Sequence, residues 1–133
     1  MAFRPAFIER STKTGTDPLA YYVRRHTKKR KDGSKVLNKQ HLILRLTTTM
    51  ARGAGMKKHD GIRLDLDPTT RQGRLLAVEN CSRHLCQAAP GRSFYVSLPY
   101  TGELPGYFPE VPTVHGLNVL QTSTTEGLIF DLP

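Results

Sequence analysis

The sequence has few of the features that define an enzyme, a secreted protein or a membrane protein. It contains no tryptophan and only two cysteines among 133 residues. No apolar run approaches the roughly 20 residues that cross a bilayer. Charged residues interrupt the amino-terminal MAFRPAFIER, where a signal peptide needs its apolar centre. We therefore expect a cytoplasmic protein, in the host cytoplasm if it is viral, with no membrane partner.

The residues that are candidates for catalysis or metal binding lack the partners that such sites need. Cys81, His84 and Cys86 form half of a zinc site, and no second half follows. Asp65 and Asp67 would lie about 7 Å apart on a strand, a spacing that suits Mg²⁺ or acid–base chemistry, but no third acid is near. No GK[ST] or GxGxxG phosphate loop is present. We expect no catalytic residues, no metal site and no cofactor.

Acidic residues are scarce in residues 21–46, where cations are dense. This stretch holds nine of the twenty lysines and arginines and one acid, Asp32, so it carries +8 of the formal net charge of +9. Like charges at this density repel one another and are tolerated most easily where a polyanion neutralises them. Residues 99–133 contain four acids and no lysine or arginine. A basic body with a mildly acidic C-terminal part is typical of DNA-binding proteins, although the last third is also suited to core and dimer contacts.

The basic stretch also has the pattern of a β-hairpin. Asp32-Gly33 is a strong turn signal, and apolar β-formers lie on both sides of it. We predict that residues 21–30 pair with residues 35–46, giving a ribbon with an apolar base and a basic tip. Such a ribbon fits a groove of duplex DNA or the length of a single strand. The alternative is a solvated, mobile loop.

The rest of the chain is divided by nine prolines and eleven glycines into short segments. Residues 61–78 alternate apolar and charged side chains and predict a second hairpin. Residues 79–89 are the best candidate for a helix, because Pro90-Gly91 would end it, whereas residues 47–55 predict a breaker or loop. Further strands are expected at 93–98, 117–121 and 127–132.

These segments together predict a fold class and a domain plan. We expect a mainly β (α+β) protein, a small single domain of short antiparallel strands and hairpins with one short helix. Residues 1–20 would form an N-terminal arm, and residues 21–133 a single β-rich DNA-binding domain that includes the basic hairpin 21–46.

Residues 41–78, HLILRLTTTMARGAGMKKHDGIRLDLDPTTRQGRLLAV, resemble the swapped-hairpin DNA-binding proteins of the AbrB type. The positions that carry the resemblance are Met56, Asp60, Gly61, Ile62, Leu64, Leu75 and Val78. The order Asp-Gly inverts the family's usual Gly-Asp, and the proline that opens the family's helix is absent. The resemblance implies a dimer that binds DNA through its basic side.

The size, the charge and the aromatic–basic ribbon also resemble the small phage-encoded single-stranded-DNA-binding proteins that act as RNA polymerase cofactors. This resemblance implies binding of single-stranded DNA near opened promoters, with RNA polymerase as a partner.

We therefore expect a sequence-tolerant single-stranded-DNA-binding protein with a role in transcription, acting as a homodimer; RNA is an alternative ligand. The other hypotheses are a duplex-binding transcription regulator and a small inhibitor that masks an acidic protein surface. Tyrosines would stack on bases and cations would hold phosphates. The predicted contacts are Tyr21, Tyr22, Arg24, Arg25, Lys28, Lys29, Arg30, Lys31, Lys35, Lys39, Arg45, Arg52, Lys57 and Lys58.

Overall fold

The computed structural model of the protein describes residues 17–29, 31–33 and 35–133, and for residues 26–29 and 35–38 it describes the backbone alone. Residues 1–16, most of the predicted N-terminal arm, lie outside the described residues. The strands are β1 (Leu19–Lys29), β2 (Lys35–Leu46), β3 (Ile62–Asp67), β4 (Gln72–Ala77), β5 (Cys86–Gln87), β6 (Phe94–Pro99), β7 (His115–Gly116), β8 (Val119–Ser123) and β9 (Gly127–Asp131). Two short helices, α1 (Thr48–Gly53) and α2 (Leu104–Tyr107), complete the described elements.

The strands form two antiparallel sheets. Sheet 1 has the order β5-β6-β2-β1-β7, and sheet 2 has the order β3-β4-β9-β8. The prediction of a mainly β protein built from short antiparallel strands and hairpins is confirmed.

The first hairpin pairs β1 with β2, as predicted, in a register that runs from Leu19 opposite Leu46 to Lys29 opposite Lys35. Gly33 at the turn has a φ of +90°, a conformation that glycine adopts without steric cost. Pairing passes from His26 opposite Lys39 to Thr27 opposite Leu37, so a β-bulge interrupts the hairpin there. The sheet starts at Leu19, two residues before the predicted domain boundary.

The two sheets share one hydrophobic core. Alternate residues of β1 and β2 face it, including Tyr21, Leu42 and Leu44, and sheet 2 contributes Leu75, Leu128 and Phe130 among others. All of these side chains are at most 1% exposed. The alternation predicted for residues 61–78 is visible in β3, where Ile62 is buried and Arg63 is exposed.

The second hairpin and the last three predicted strands are confirmed. β3 pairs with β4 from Ile62 opposite Ala77 to Asp67 opposite Gln72. β6 lies within predicted residues 93–98, apart from its last residue, and pairs with β2. β9 is an inner strand between β4 and β8, so its apolar residues complete sheet 2.

The helix predicted at residues 79–89 is wrong. Asn80 has a φ of +58°, outside the right-handed helical region, His84 forms a β-bridge with Gly61, and Cys86 and Gln87 form strand β5. Backbone N–H groups of Ile62 and Leu85 donate to the carbonyls of Arg83 and Asp60, both at 2.8 Å. These bonds attach the segment to the start of β3 and bury Leu85 completely. Asn, Ser, Cys and His are weak helix formers, so this tertiary pairing prevails.

A helix forms instead at 48–53, where a loop was predicted. The Thr47 hydroxyl accepts the N–H of Met50 at 3.2 Å, which is an N-cap hydrogen bond. Ala51 is fully buried by this turn of helix. The run of threonines and the two glycines obscured a capping signal that the sequence contains.

Gly127 tests the close packing of sheet 2. It has a φ of +76°, and a Cβ there would lie 2.1 Å from the carbonyl oxygen of Leu75. We expect Gly127→Ala to lower the free energy of unfolding by at least ~2 kcal/mol, from backbone strain and overlap together. Urea unfolding followed by circular dichroism measures it.

Gly106→Ala is the matched control, because a Cβ at Gly106 in α2 meets nothing within 4 Å. We expect this variant to be neutral. Equal unfolding midpoints for the two variants would contradict the packing described here.

Candidate nucleic-acid interface

The base of the basic hairpin is held in the core by Tyr21. Its ring makes an edge-to-face contact with Phe108 at 5.2 Å between centroids, and its hydroxyl donates to the Pro109 carbonyl at 2.8 Å. Burial raises the pKa of the Tyr21 phenol. The prediction that Tyr21 stacks on bases is therefore wrong, because its side chain is only 1% exposed. It points to the core, as alternation from Leu19 requires.

The loop 100–114 closes over the inner face of this base. Tyr100 is buried and donates to the Phe108 carbonyl at 2.6 Å. The Glu110 carboxylate accepts hydrogen bonds from both Arg25 and Gln40, which face each other across β1 and β2. The Arg25 hydrogen bond is the main reason that the pKa of Glu110 is lowered. Arg25, predicted as a phosphate contact, thus joins the hairpin to this loop.

The distal part of the hairpin, residues 26–39, is named here the ribbon. Within the described residues β2 pairs with β6 only from His41 onward, and β1 pairs with β7 only at Ala20 and Tyr21. The ribbon is therefore a two-stranded extension whose paired strands, of four and five residues, reach about 15 Å at ~3.3 Å per residue. It contains six lysines and arginines and one acid, a formal net charge of +5.

The structure describes the side chains of only some of the predicted nucleic-acid contacts in the ribbon. Lys31 near the tip and Lys39 at the base are exposed. The side chains of Lys28, Lys29 and Lys35, and residue Arg30 altogether, lie outside the described part of the chain.

The outer face of sheet 1 continues the ribbon toward the hairpin base. The register puts Tyr22 and Arg24 of β1 on this face, with Lys39, Ile43 and Arg45 of β2. β6 adds Tyr95 and Ser97. Arg24 and Lys39 are exposed, while Tyr22, Arg45 and Tyr95 are half-buried. Ile43 is only 3% exposed and is not a contact.

This outer face has no carboxylate among its described strand residues, whereas the outer face of sheet 2 is electrically balanced. There Asp65 accepts hydrogen bonds from Arg63 and Arg74, each with a shortest distance of 2.8 Å. The Arg63 hydrogen bond is the main reason that the pKa of Asp65 is lowered. Positive charge without a carboxylate partner is thus concentrated on sheet 1.

Sequence reasoning missed two residues of this surface. Tyr95 lies opposite Arg45 in the β2–β6 register, so a third strand brings an aromatic ring beside the basic hairpin. Arg83 lines a cavity of about 410 Å³ at the foot of the ribbon, together with Lys39 and His41. The alternation of strand 93–98 gave a signal for Tyr95, but nothing in the sequence indicated Arg83.

The predicted flanking cations come together at the other end of the hairpin. Arg52, Lys57 and Lys58 line one groove of about 420 Å³, which we name the basal groove, with Met56 and Phe94. All three cations are exposed. Helix α1 supplies Arg52 and the loop that follows it supplies both lysines, so an element absent from the sequence-based prediction assembles this groove.

The other candidates for chemistry have structural contacts. Cys81 donates to the Ile62 carbonyl at 3.1 Å, and Cys86 lies 3.5 Å from the His84 carbonyl. Asp67 accepts the backbone N–H of Thr69 at 3.0 Å in the β3–β4 turn. Across residues 17–29, 31–33 and 35–133, no three His, Cys, Asp or Glu side chains are grouped as a metal would require.

Neither helix of the described residues has the length or apolar character to cross a bilayer, as α1 has six residues and α2 has four.

No family model matches the chain, and no match was found among the curated proteins or the solved structures. The two resemblances therefore stay predictions from the sequence.

The Glu110 contacts predict a pH dependence of stability. The pKa of Glu110 is lowered below its ordinary value of 4.5, so its contribution is present above pH 4.5 and is lost as the pH falls through the folded-state value. We expect Glu110→Gln to be less stable than the wild type at pH 7. The difference should shrink at pH 3, where a larger fraction of the wild-type carboxyl is protonated than at pH 7. Urea midpoints at both values measure this.

Glu103→Gln is the control, since it removes the same charge from an exposed glutamate without a side-chain cap bond. It should leave the midpoint unchanged at both pH values. A deficit in Glu110→Gln that is as large at pH 3 as at pH 7 would contradict a role for the charged carboxylate.

Proposed function

We propose that this protein binds single-stranded DNA, with little sequence preference, through the ribbon and the outer face of sheet 1. The observation that carries the proposal is the distribution of cations: Arg24, Lys31 and Lys39 are exposed on one extended surface, while on the outer face of sheet 2 Arg63 and Arg74 both pair with Asp65. Lysine and arginine side chains that neutralise phosphates supply most of the affinity of nonspecific nucleic-acid binding.

Aromatic rings beside these cations favour a single strand over a duplex. Tyr22 and Tyr95 lie on the same face, on strands to either side of β2, and both are partly accessible. Bases of a single strand stack on such rings with ~1–3 kcal/mol each, whereas paired bases in a duplex are already stacked on one another. Among the side chains that the structure describes on this face, there is no repeated set of base-reading groups that would require one sequence.

A homodimeric state, a role in transcription and a contact with RNA polymerase remain predictions from the sequence. A duplex-binding regulator would use the same ribbon in a major groove. Competition between single-stranded DNA, duplex DNA and RNA of equal length separates these ligands.

Removing ribbon charges tests the electrostatic part of the proposal. Lys31→Gln with Lys39→Gln should weaken binding of a labelled oligothymidine and reduce the slope of log K against log salt by about 1.4 if both contact phosphates. The loss should be similar for oligonucleotides of different sequence. Fluorescence anisotropy at several salt concentrations measures both quantities.

The control removes two charges from strand β3 and from the turn that joins it to β4 instead. Arg63→Gln with Arg71→Gln gives the same net charge, and both parent side chains are exposed. Binding and slope should stay near the wild-type values. If the two double variants lose affinity equally, then net charge rather than the ribbon governs binding, and the proposed site is wrong.

Substitutions at Tyr22 test whether bases of single-stranded DNA stack on its ring. Tyr22→Ala should weaken single-stranded DNA binding by about 1–3 kcal/mol and should affect duplex DNA much less. Tyr22→Phe keeps the aromatic ring and should retain binding, which separates stacking from any effect of the hydroxyl. Equal losses of Tyr22→Ala on single strands and duplex would argue against stacking.

A further inference from the structure

The ribbon and the basal groove lie at opposite ends of β2. The strand starts at Lys35, next to the ribbon tip, and ends at Leu46, and helix α1 with Arg52 begins two residues later. The eleven residue-to-residue steps of β2, at ~3.3 Å each, place the ribbon tip about 36 Å from the end of the strand beside the basal groove. A small anion therefore cannot contact both, while a polymer can.

The basal groove has the charge of an anion-binding site. Three exposed cations line it, and no carboxylate is among the described residues that line it. The nearest acid in the chain order is Asp60, whose carboxylate accepts the backbone N–H of Lys57 at 2.8 Å. That bond shapes the loop and leaves the lysine side chains exposed, so the groove keeps an excess of positive charge.

Arg45 lies between the two surfaces. It is half-buried on the outer face of sheet 1, one residue before the end of β2, with Tyr95 as its cross-strand neighbour. A nucleic-acid strand that runs from the ribbon along this face would pass Arg45 and the ring of Tyr95 before it reaches the base of the hairpin.

We propose that one polynucleotide strand occupies the ribbon and the basal groove at the same time, so that the site has two parts joined by the length of β2. This inference rests on the proposed function and assigns the groove to the same ligand. At the 3.4 Å rise per nucleotide of B-form DNA, 36 Å corresponds to about ten nucleotides, and fewer if the strand is extended. Once one part is bound, the second contact is intramolecular and adds affinity through effective concentration.

A length series of oligothymidines from about 4 to about 24 nucleotides tests the inference by anisotropy at ~0.1 M salt. For the wild type, affinity should rise steeply as the length approaches about ten nucleotides and more slowly beyond it. Arg52→Gln with Lys58→Gln should weaken binding of the longest oligonucleotide about 10- to 30-fold, from about fivefold per lost phosphate contact. The same variant should bind the shortest oligonucleotide as the wild type does.

The controls distinguish failure of this inference from failure of the proposed function. Arg63→Gln with Arg71→Gln should bind all lengths as the wild type does, and thermal unfolding should confirm that each variant is folded. If the groove variant binds long oligonucleotides as tightly as the wild type does, or loses the same factor at every length, the two-part site is wrong while ribbon binding stands. If the wild type binds no length, both proposals are wrong.

Discussion

The anchoring of the basic hairpin in the core is the constraint on which the rest of the structure depends. Tyr21, Leu42 and Leu44 are buried at its base, and burying each such side chain contributes roughly 1.5–3 kcal/mol. Two like charges 4 Å apart in water repel by only about 1 kcal/mol, and salt reduces this further. The apolar base therefore outweighs the repulsion among the ribbon cations. The bond from Tyr21 to Pro109 and the edge-to-face contact with Phe108 fix the direction in which the ribbon leaves the core.

Charge is distributed unequally between two sheets of similar construction. Asp65 lies between Arg63 and Arg74 on sheet 2, so these groups satisfy one another. Next to sheet 1, the carboxylate of Glu110 in the loop 100–114 accepts hydrogen bonds from Arg25 and Gln40 on the inner side of the hairpin. Arg24 and Lys39 on the outer side are left facing solvent. Such a one-sided field attracts a polyanion from a distance and accelerates encounter, and the effect weakens as salt is added.

The sequence predicted most of the strands, because alternation and turn chemistry are local signals. Asp32-Gly33 and the alternating residues 61–78 each gave a hairpin at the right position. The helix prediction at 79–89 was wrong because long-range backbone bonds to residues 60–62 prevailed over a weak local pattern. The bulge between His26 and Thr27 changes the ribbon register without any glycine or proline to mark it. Tyr21 was predicted to contact bases because it is aromatic, although its alternation with Leu19 along β1 places its side chain on the buried face.

The sequence predicted which cations belong to the candidate site, but it predicted their arrangement in space only partly. The lysines and arginines of 24–58 were named from their charge and from the predicted hairpin. Their division into a ribbon and a basal groove required helix α1, which the sequence pattern did not reveal. Tyr95 and Arg83 come from other segments and reach the hairpin through the pairing of β6 with β2 and the fold of residues 81–85. Only tertiary structure brings such residues together.

The central claim is that the cations of an anchored ribbon bind the phosphates of a polynucleotide. The salt dependence of the wild-type affinity for single-stranded DNA is its most direct test. With about six phosphate contacts, log K should fall with log salt at a slope near −4. A slope near zero, or no binding at low salt, would contradict the claim.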